Sequence, residues 1–396
     1  MRKYDLITPE GTKDFLFEEC LVRHETEAKL YDIFKSKGYY ELTTPALEFY
    51  DVFQTESGHY PQERLYKLTD SKGRLLVMRP ESTMPIARVI ATRLKDASLP
   101  IRLFYNQSVY RFESALKGRS NEIVQAGIEL IGSASHMADL EMVSTAIEVL
   151  ESCTETSFSL EIGDAGIFKE LMGELNATED ERENIRYLIE TKNYPALNGM
   201  LDSMGDTPVI AALKRLPAMF GGEEVFDKAS ELYSNERIDI MLDDLKKMYN
   251  EISNLIGNGK LTIDLGMVNN ADYYTGIIIK GYLEGYGEEV LSGGRYNKLL
   301  ADYGYDIPAI GFGVNIDAIT KVAVKENPRE VKPADVIIFA EEGFEMKALD
   351  IAKKLRTEEN LTVEIALCDN IESTREYARK KKIGKIIFVD NENLEV

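Results

Sequence analysis

The residues whose types suit ligand chemistry lie on two neighbouring segments of the chain. Gln125 and Glu129 lie four residues apart in an otherwise apolar run, and Gln107, Arg111 and Glu113 lie at even spacings shortly before it. Side chains of a β-strand alternate between its two faces, so even spacing places each set on one side. Amide, carboxylate and guanidinium groups on one surface can together hold a ligand that carries both donors and acceptors.

Two strands are needed to position these side chains. The sequence predicts strands from Leu103 to Glu113 and from Glu122 to Ile131, joined by the polar loop SALKGRSN. On the second strand, apolar residues occupy one face, and Gln125 and Glu129 occupy the other. The pattern predicts an antiparallel hairpin packed on one side. The alternative is an ordinary half-solvated sheet whose polar face is wet, and alternation by itself favours that interpretation.

Composition places the chain among globular proteins of more than one domain. It has 396 residues, of which 44% are hydrophobic and 29% are charged. No apolar run approaches the roughly 20 residues that span a bilayer, and the N-terminus carries no apolar stretch typical of a secretory signal. The three cysteines are scattered and form no disulfide framework, which predicts a cytoplasmic location. The three histidines show no metal-ligand spacing, so no metal is expected.

The net charge argues against one class of partner. The chain carries 68 acidic and 47 basic residues, giving a formal charge of −21. Nucleic-acid binding depends on Lys and Arg that neutralise phosphates, so most of this surface opposes RNA. A local basic patch remains compatible with this composition.

The pattern of the whole chain predicts an α+β protein. A helix is expected over Glu18–Lys37, a strand pair over Leu65–Leu68 and Leu75–Met78, and a helix over Met84–Leu94. Helical periodicity dominates from about 165 to 255 and indicates an insertion between two halves of one sheet domain, residues 1–325. After a linker, residues 333–396 alternate strands with helices, which is typical of a small parallel α/β domain.

Six short motifs occur in a fixed order along the first domain. They are Thr8-Pro-Glu-Gly-Thr-Lys-Asp14, Arg79-Pro-Glu-Ser-Thr83, Tyr110-Arg-Phe-Glu113, Gln125-Ala-Gly-Ile-Glu129, Asp272-Tyr-Tyr-Thr-Gly276 and Gly293-Gly-Arg-Tyr296. In order and spacing they resemble the catalytic domain of class II histidyl-tRNA synthetases and of that family's paralogue, the regulatory subunit of ATP phosphoribosyltransferase. The resemblance covers about residues 8–325 and implies a class II antiparallel sheet domain. The C-terminal unit resembles a shortened anticodon-binding domain.

The resemblance implies a pocket for histidine. Carboxylate and amide acceptors suit an α-ammonium group, and carboxylates or phenols suit an imidazole N–H. By this resemblance Tyr274 and Tyr296 close on the imidazole. The residues that it assigns to histidine binding are Glu81, Thr83, Arg111, Gln125, Glu129, Tyr273, Tyr274 and Tyr296.

Two departures from the synthetase motifs concern ATP. Activation of an amino acid needs cations around the phosphates, where negative charge gathers. Asn269 and Ala318 occupy the positions where the synthetases carry two of their three arginines, and Arg111 keeps the third. Lys117 and Arg119 lie nearby in the hairpin loop, where we expect their side chains not to be held in a fixed position toward the phosphates. The departures imply that histidine is bound without being activated.

The resemblance therefore favours a non-catalytic, allosteric regulatory subunit. Such a subunit has no catalytic residue and no cofactor, binds histidine and not tRNA, and assembles with a short-form ATP phosphoribosyltransferase catalytic subunit. The assembly catalyses the first step of histidine biosynthesis and is inhibited by histidine. A homodimer core within a larger hetero-oligomer is implied. The alternatives are a divergent, active histidyl-tRNA synthetase and a paralogue that binds another ligand.

Overall fold

The computed structural model describes residues 4–56, 60–112, 120–155, 157–233, 235–256, 259–268, 273–390 and 394–395. The chain forms two compact units, Met1–Pro328 and Arg329–Val396. The first unit contains the hairpin and the helical segment, and the second contains the alternating strands and helices of the C-terminal region.

The first unit combines short edge strands with a long central hairpin. Its strands are β1 (Tyr40–Glu41), β2 (Leu47–Phe49), β3 (Lys67–Thr69), β4 (Leu75–Met78), β5 (Ile101–Tyr110), β6 (Glu122–Ile131), β7 (Phe158–Asp164), β8 (Phe220–Gly221), β9 (Lys260–Asp264), β10 (Ile277–Leu283), β11 (Glu289–Arg295) and β12 (Ala309–Asn315). Its helices are α1 (Glu18–Ser36), α2 (Thr83–Arg93), α3 (His136–Cys153), α4 (Ala165–Glu174), α5 (Glu179–Glu190), α6 (Tyr194–Ser203), α7 (Pro208–Arg215), α8 (Glu224–Ser230), α9 (Glu236–Ile252) and α10 (Ile316–Glu326).

A nine-stranded sheet forms the centre of this unit. The strand order is β1-β5-β6-β12-β11-β10-β7-β9-β8, and neighbours run antiparallel except for β1 with β5 and β7 with β9. The predicted hairpin is β5 and β6, and β6 has the predicted bounds. Its register places Gln125 opposite Gln107 of β5 and Glu129 opposite Gly311 of β12. The polar residues of β6 therefore lie in the interior of the sheet.

Both faces of the hairpin are covered. Val124, Ala126, Ile128 and Leu130 pack with α1, α3 and α10 in one core, as alternation predicts. The opposite face packs against α2 and against a smaller three-stranded sheet of order β2-β4-β3. The interpretation of a half-solvated sheet is therefore wrong, because the smaller sheet and α2 close its polar face. Side chains on that face lie in a low-dielectric environment.

Capping residues fix the helices that border the central sheet. Ser135 accepts the Ala138 amide at the start of α3, and Asn315 accepts the Ala318 amide at the start of α10. Helix α1 ends one residue before the predicted Lys37, and Gly38 follows with a φ of +80°. Glycine adopts this left-handed conformation without the steric penalty of a side chain, so it terminates the helix.

The helical segment α4 to α9 follows β7 and interrupts the succession of sheet strands along the chain. Helices α4 to α9 contribute apolar side chains, such as Ile185, Leu213 and Leu245, to the same core as the outer face of β6. The segment returns through β9, which pairs in parallel with β7. The insertion thus begins after β7 and ends at β9, and these two strands are neighbours in the sheet.

The second unit contains β13 (Val336–Ala340), α11 (Glu345–Glu358), β14 (Val363–Ile365), α12 (Ile371–Lys381), β15 (Lys385–Val389) and β16 (Leu394–Glu395). The strand order is β14-β13-β15-β16, and β13 runs parallel to both β14 and β15. The fourth, β16, pairs antiparallel with β15 at the sheet edge.

Two observations bear on the expectations from composition. All three cysteines lie within the described residues and are free thiols. Within the described parts of the chain, no helix has the length and apolar character required to cross a membrane.

Candidate functional site

The site lies on the closed face of the hairpin, where glycines of β12 leave room for polar side chains. A Cβ atom on Gly311 would lie 1.7 Å from Oε2 of Glu129, and a Cβ on Gly313 would lie 2.6 Å from Nε2 of Gln125. The carboxylate and the amide therefore occupy the space that side chains of β12 would otherwise fill. Both side chains share one face of β6, as the sequence predicts.

Glu129 is the most deeply buried acid of this site, with 1% of its surface exposed. Thr83 donates its hydroxyl to Oε1 at 2.8 Å, and Tyr296 donates its hydroxyl to Oε2. Burial raises the pKa of Glu129 to about 8, although these hydrogen bonds oppose the shift. Both partners of the carboxylate are neutral, so a cationic ligand would supply the charge that burial leaves uncompensated.

Glu81 is half-buried and lies just before α2. Its carboxylate accepts the amides of Thr83 at 2.9 Å and Met84 at 2.7 Å, so it caps the first turn of that helix. Burial raises the pKa of Glu81 to about 7, while the helix amides and the charge of Arg111 lower it. A carboxylate at a helix N-terminus is stabilised by the helix dipole. Glu81 therefore both starts α2 and faces the site.

Three tyrosines of the predicted set pack together and form one wall of the site. The ring centroids of Tyr273 and Tyr274 lie 4.9 Å apart, and those of Tyr273 and Tyr296 lie 5.8 Å apart. A Cβ on Gly294 would lie 2.9 Å from the Tyr274 ring, so this glycine admits that ring. Burial, with the nearby negative charge of Glu129, raises the pKa of Tyr296 well above its ordinary value. The phenols are therefore donors at neutral pH.

Arg111 brings a cation to the edge of the site. Its backbone follows β5, and its amide donates to the Asn121 carbonyl at 2.8 Å. Its guanidinium lies beside the hydroxyl of Tyr60 and lowers the pKa of Glu81 by its charge. A guanidinium at this position suits a ligand carboxylate, while Glu81 and Glu129 suit the ligand's cationic groups.

A buried polar network supports the segment that carries Glu81 and Thr83. Gln107 donates to Ser82 Oγ at 2.9 Å and accepts the Thr44 amide at 3.2 Å. The predicted shared face of Gln107 and Arg111 is thus compatible with the structure, but the Gln107 amide is used within the protein. Arg79 donates to the Ser108 carbonyl at 2.7 Å and to the Thr44 carbonyl. The side chain of Arg79 therefore helps to hold in place the segment that carries Glu81 and Thr83.

Two further tyrosines of the site, Tyr105 and Tyr60, are not among the residues predicted from the sequence. Tyr105 is 2% exposed and lies over Gly127, where a Cβ would be 2.5 Å from its hydroxyl. Its hydroxyl also lies beside Ser82. Even spacing from Gln107 and Arg111 places Tyr105 on the same strand face. The alternation of side chains therefore could have indicated that Tyr105 belongs to the site. Tyr60 lies in a loop without periodicity, and no pattern in the sequence indicates it.

Of the two positions that depart from the synthetase motifs, the structure describes Ala318 and does not describe Asn269. Ala318 is 2% exposed in the first turn of α10 and presents a methyl group. Beside it, the Asp317 carboxylate accepts the Val124 amide at 3.0 Å, so an acid lies next to the position of the missing arginine. Asn269, Lys117, Arg119 and Glu113 lie outside the described residues.

Metal-ligand chemistry does not add to this picture. Among the residues that the structure describes, no group of three or more His, Cys, Asp or Glu side chains is arranged to hold a metal ion.

Comparisons with known proteins give the fold and the site a family. The family model described as histidyl-tRNA synthetase matches residues 11–319. With the antiparallel sheet and its enclosed polar face, this match defines a class II, histidyl-tRNA synthetase-like protein. The predicted α+β fold class is thereby confirmed. A solved structure from Bacillus halodurans, described as an ATP phosphoribosyltransferase regulatory subunit/histidyl-tRNA synthetase, aligns with a TM-score of 0.84 at 27% identity, covering 98% of this chain and 99% of that one.

Sequence relatives separate the two branches of this class. The ATP phosphoribosyltransferase regulatory subunit of Clostridium kluyveri is 42% identical over 387 residues, which cover 96% of this chain and 98% of that protein. The protein of the same name from Bacillus cereus is 38% identical over 403 residues, covering 100% of this chain and 94% of that protein. The chain belongs to the family of ATP phosphoribosyltransferase regulatory subunits.

Proposed function

We propose that the site binds free histidine. The observation that carries the proposal is the buried chain of hydrogen bonds from Thr83 through Glu129 to Tyr296. In this series of hydrogen bonds the Glu129 carboxylate has two neutral donors and no cationic one. The carboxylate of Glu81 lies close enough to raise the pKa of Glu129 by its charge. An ammonium and an imidazole supply cationic and donor groups to these acceptors, and Arg111 suits the carboxylate. A ligand that lacked those donors would leave buried acceptors unpaired, so the site would discriminate against it.

The proposed pocket consists of the eight residues that the resemblance implies, with two additions. Gln125 and Glu129 lie over the glycines, Tyr273, Tyr274 and Tyr296 form the wall, and Arg111 lies at the edge. The other proposed members are Glu81 and Thr83, and the additions are Tyr60 and Tyr105. In this proposal the unit 1–328 binds the ligand, and the smaller C-terminal unit is a shortened counterpart of an anticodon-binding domain.

The chain acts, in this proposal, as a non-catalytic regulatory subunit of ATP phosphoribosyltransferase. The names of the C. kluyveri and B. cereus relatives support this role. The partner is a short-form catalytic subunit, and the assembly is a cytoplasmic hetero-oligomer built on a homodimer of this chain. Histidine controls the assembly by binding two of its states unequally, which is the physical requirement of feedback inhibition.

The competing function is that of an active histidyl-tRNA synthetase. Ala318 argues against it, because its methyl group cannot neutralise phosphate charge and the adjacent Asp317 is acidic. The net charge of −21 also opposes tRNA over most of the surface. No role for tRNA is therefore included in the proposal.

Reconstitution tests the regulatory role. We expect the purified chain to activate a short-form ATP phosphoribosyltransferase from the same organism, and added histidine to reduce that activity by at least about tenfold. Product formation is measured with and without histidine. Failure of the chain to activate the catalytic subunit would contradict the proposal, as would activity that histidine leaves unchanged.

A further inference from the structure

The segment that carries two tyrosines of the wall precedes its strand. Tyr273 and Tyr274 are buried, yet β10 begins only at Ile277. The two tyrosines therefore come before the ladder of hydrogen bonds that orders β10. Buried backbone groups need hydrogen-bond partners, so other parts of the protein must fix this segment and the rings that it carries. We call residues 273–276 the wall segment.

One side of the wall segment is fixed by the end of β11. The Thr275 amide donates to the Arg295 carbonyl at 2.7 Å, and the Thr275 hydroxyl oxygen accepts the Asn297 amide at 2.9 Å. Arg295 is itself fixed, because its guanidinium donates to the Asp139 carboxylate at 2.8 Å. These contacts anchor the wall segment one residue after Tyr274.

The other side of the wall segment is fixed by α4, the first helix of the insertion. The Ala165 amide donates to the Gly276 carbonyl at 2.9 Å, and the Lys169 ammonium donates to the Tyr274 carbonyl at 2.7 Å. Residues four apart are neighbours on a helix surface, so both contacts come from the same side of α4. A hydrogen bond from a charged donor is stronger than a neutral one, so Lys169 makes the stronger of the two contacts.

The Tyr274 ring has little room to move within the site. A Cβ on Gly294 would lie 2.9 Å from this ring, and the ring centroid lies 4.9 Å from that of Tyr273. Tyr273 in turn packs edge-to-face on Tyr296, which donates its hydroxyl to Glu129. A shift of the Tyr274 backbone would therefore disturb the packing of all three rings and the contact with the buried carboxylate.

We propose that Lys169 is a positioning residue for the ligand pocket, and that the helical insertion sets the position of the tyrosine wall through it. Lys169 contacts the backbone of the wall segment and acts on the ligand only through Tyr274. It fixes the ring before the ligand arrives, and such pre-organisation lowers the entropic cost of binding. The inference rests on the proposed function, because it assumes that Tyr274 contacts the ligand.

Helix α4 transmits changes in the insertion because it packs closely on α9. A Cβ on Gly166 would lie 2.5 Å from Sδ of Met241, and Glu170 pairs with Arg237 at 3.4 Å. The groove between the two helices, of about 390 Å³, is also lined by Lys169. A displacement of α4 along α9 would therefore change the reach of the ammonium toward the wall segment. This contiguous set of contacts is the physical route from the insertion to the pocket.

Replacement of Lys169 tests this role. Lys169→Met keeps an aliphatic side chain and removes the donor, and because the residue is exposed the change removes little packing. We expect this variant to bind histidine at least about fivefold more weakly, as measured by calorimetry. Lys169→Arg restores a cationic donor and should bind histidine within about twofold of the unaltered chain. Arg237→Met is the matched control, because Arg237 lines the same groove but pairs with Glu170, and it should keep the unaltered affinity.

Hydrogen exchange distinguishes positioning from a general loss of stability. The Thr275 amide donates to a backbone carbonyl, so its exchange reports whether the wall segment stays in place. In Lys169→Met we expect faster exchange in the peptide that contains residues 273–276, with unchanged exchange in α3 and an unchanged melting temperature without ligand. A purely structural role would instead lower the melting temperature and speed exchange in both places.

Each of three results on affinity would overturn the inference. They are an unchanged histidine affinity in Lys169→Met, an equal loss of affinity in Arg237→Met, and no recovery in Lys169→Arg. Faster exchange throughout the chain of Lys169→Met would overturn it as well. Absence of histidine binding by the unaltered chain would instead refute the proposed function, while exchange of residues 273–276 would still decide whether Lys169 fixes the wall segment.

Discussion

We expect the Glu129→Gln variant to bind histidine at least about a hundredfold more weakly than the unaltered chain, a loss of about 2.8 kcal/mol. The amide keeps the shape of the side chain and can still accept from Thr83 and donate toward Tyr296. It cannot become the negative charge that a buried ammonium requires. Calorimetric titration of histidine measures the change.

The same substitution has the opposite effect on ligand-free stability. Glu129 has a pKa of about 8 in the folded protein and an ordinary value of 4.5 when unfolded. Between these pH values the folded chain holds a proton that the unfolded chain has lost, so its free energy of unfolding falls as the pH rises. Glu129→Gln removes that dependence. We expect the variant to gain stability relative to the unaltered chain on going from about pH 5 to about pH 8.

Glu122→Gln is the matched control for both effects. Glu122 begins the same strand but is exposed, and its side chain points away from the site. This variant should keep both the histidine affinity and the pH profile of unfolding. Histidine binding by Glu129→Gln that equals that of the unaltered chain would refute the assignment of Glu129 to the pocket.

The second large effect is a dependence of histidine affinity on pH. Burial raises the pKa of Glu81 to about 7 and of Glu129 to about 8, so the empty pocket holds protons at neutral pH. An incoming ammonium favours the ionised carboxylates, and binding must then release protons. We expect affinity to rise from about pH 6 to about pH 8, by up to about tenfold per pH unit for each proton released.

Calorimetry in two buffers of different ionisation enthalpy measures this release directly. The apparent binding enthalpy should differ between the buffers at one pH, and the difference gives the number of protons. Glu81→Gln, which removes one of the two acids, should reduce the number of protons and the slope of affinity against pH. An affinity that is flat, or that falls as the pH rises over this range, would contradict the account.

Alternation of side chains predicted the centre of the fold well. Strand β6 has the predicted bounds, because alternate residues from Val124 to Leu130 meet a core, and Gln125 and Glu129 on its other face meet glycines of β12. Strands β7 and β2 were missed. β7 directly precedes a helix, and β2 has three residues whose strand conformation depends on pairing with β4. Tertiary contacts of that kind leave little trace in a local pattern.

The predicted site residues gather in the structure, but their environment was not predictable. The hairpin pattern favoured a wet polar face, whereas Glu129 is 1% exposed because α2 and a sheet from an earlier part of the chain cover it. Tyr273 and Tyr274 lie before β10, which begins at Ile277, so no strand periodicity marks them. Leu68 is 42% exposed although it is apolar. Its exposure depends on tertiary packing, which no local sequence pattern predicts.

Histidine-dependent exchange of pyrophosphate into ATP tests the central claim most directly. The purified chain is assayed beside an active histidyl-tRNA synthetase, and its melting temperature is measured with and without histidine. We predict no exchange above background in a protein whose melting temperature histidine raises, because a ligand that binds only the folded state must stabilise it. Clear exchange would show that histidine is activated despite Asn269 and Ala318, and it would contradict the assignment of a non-catalytic histidine sensor.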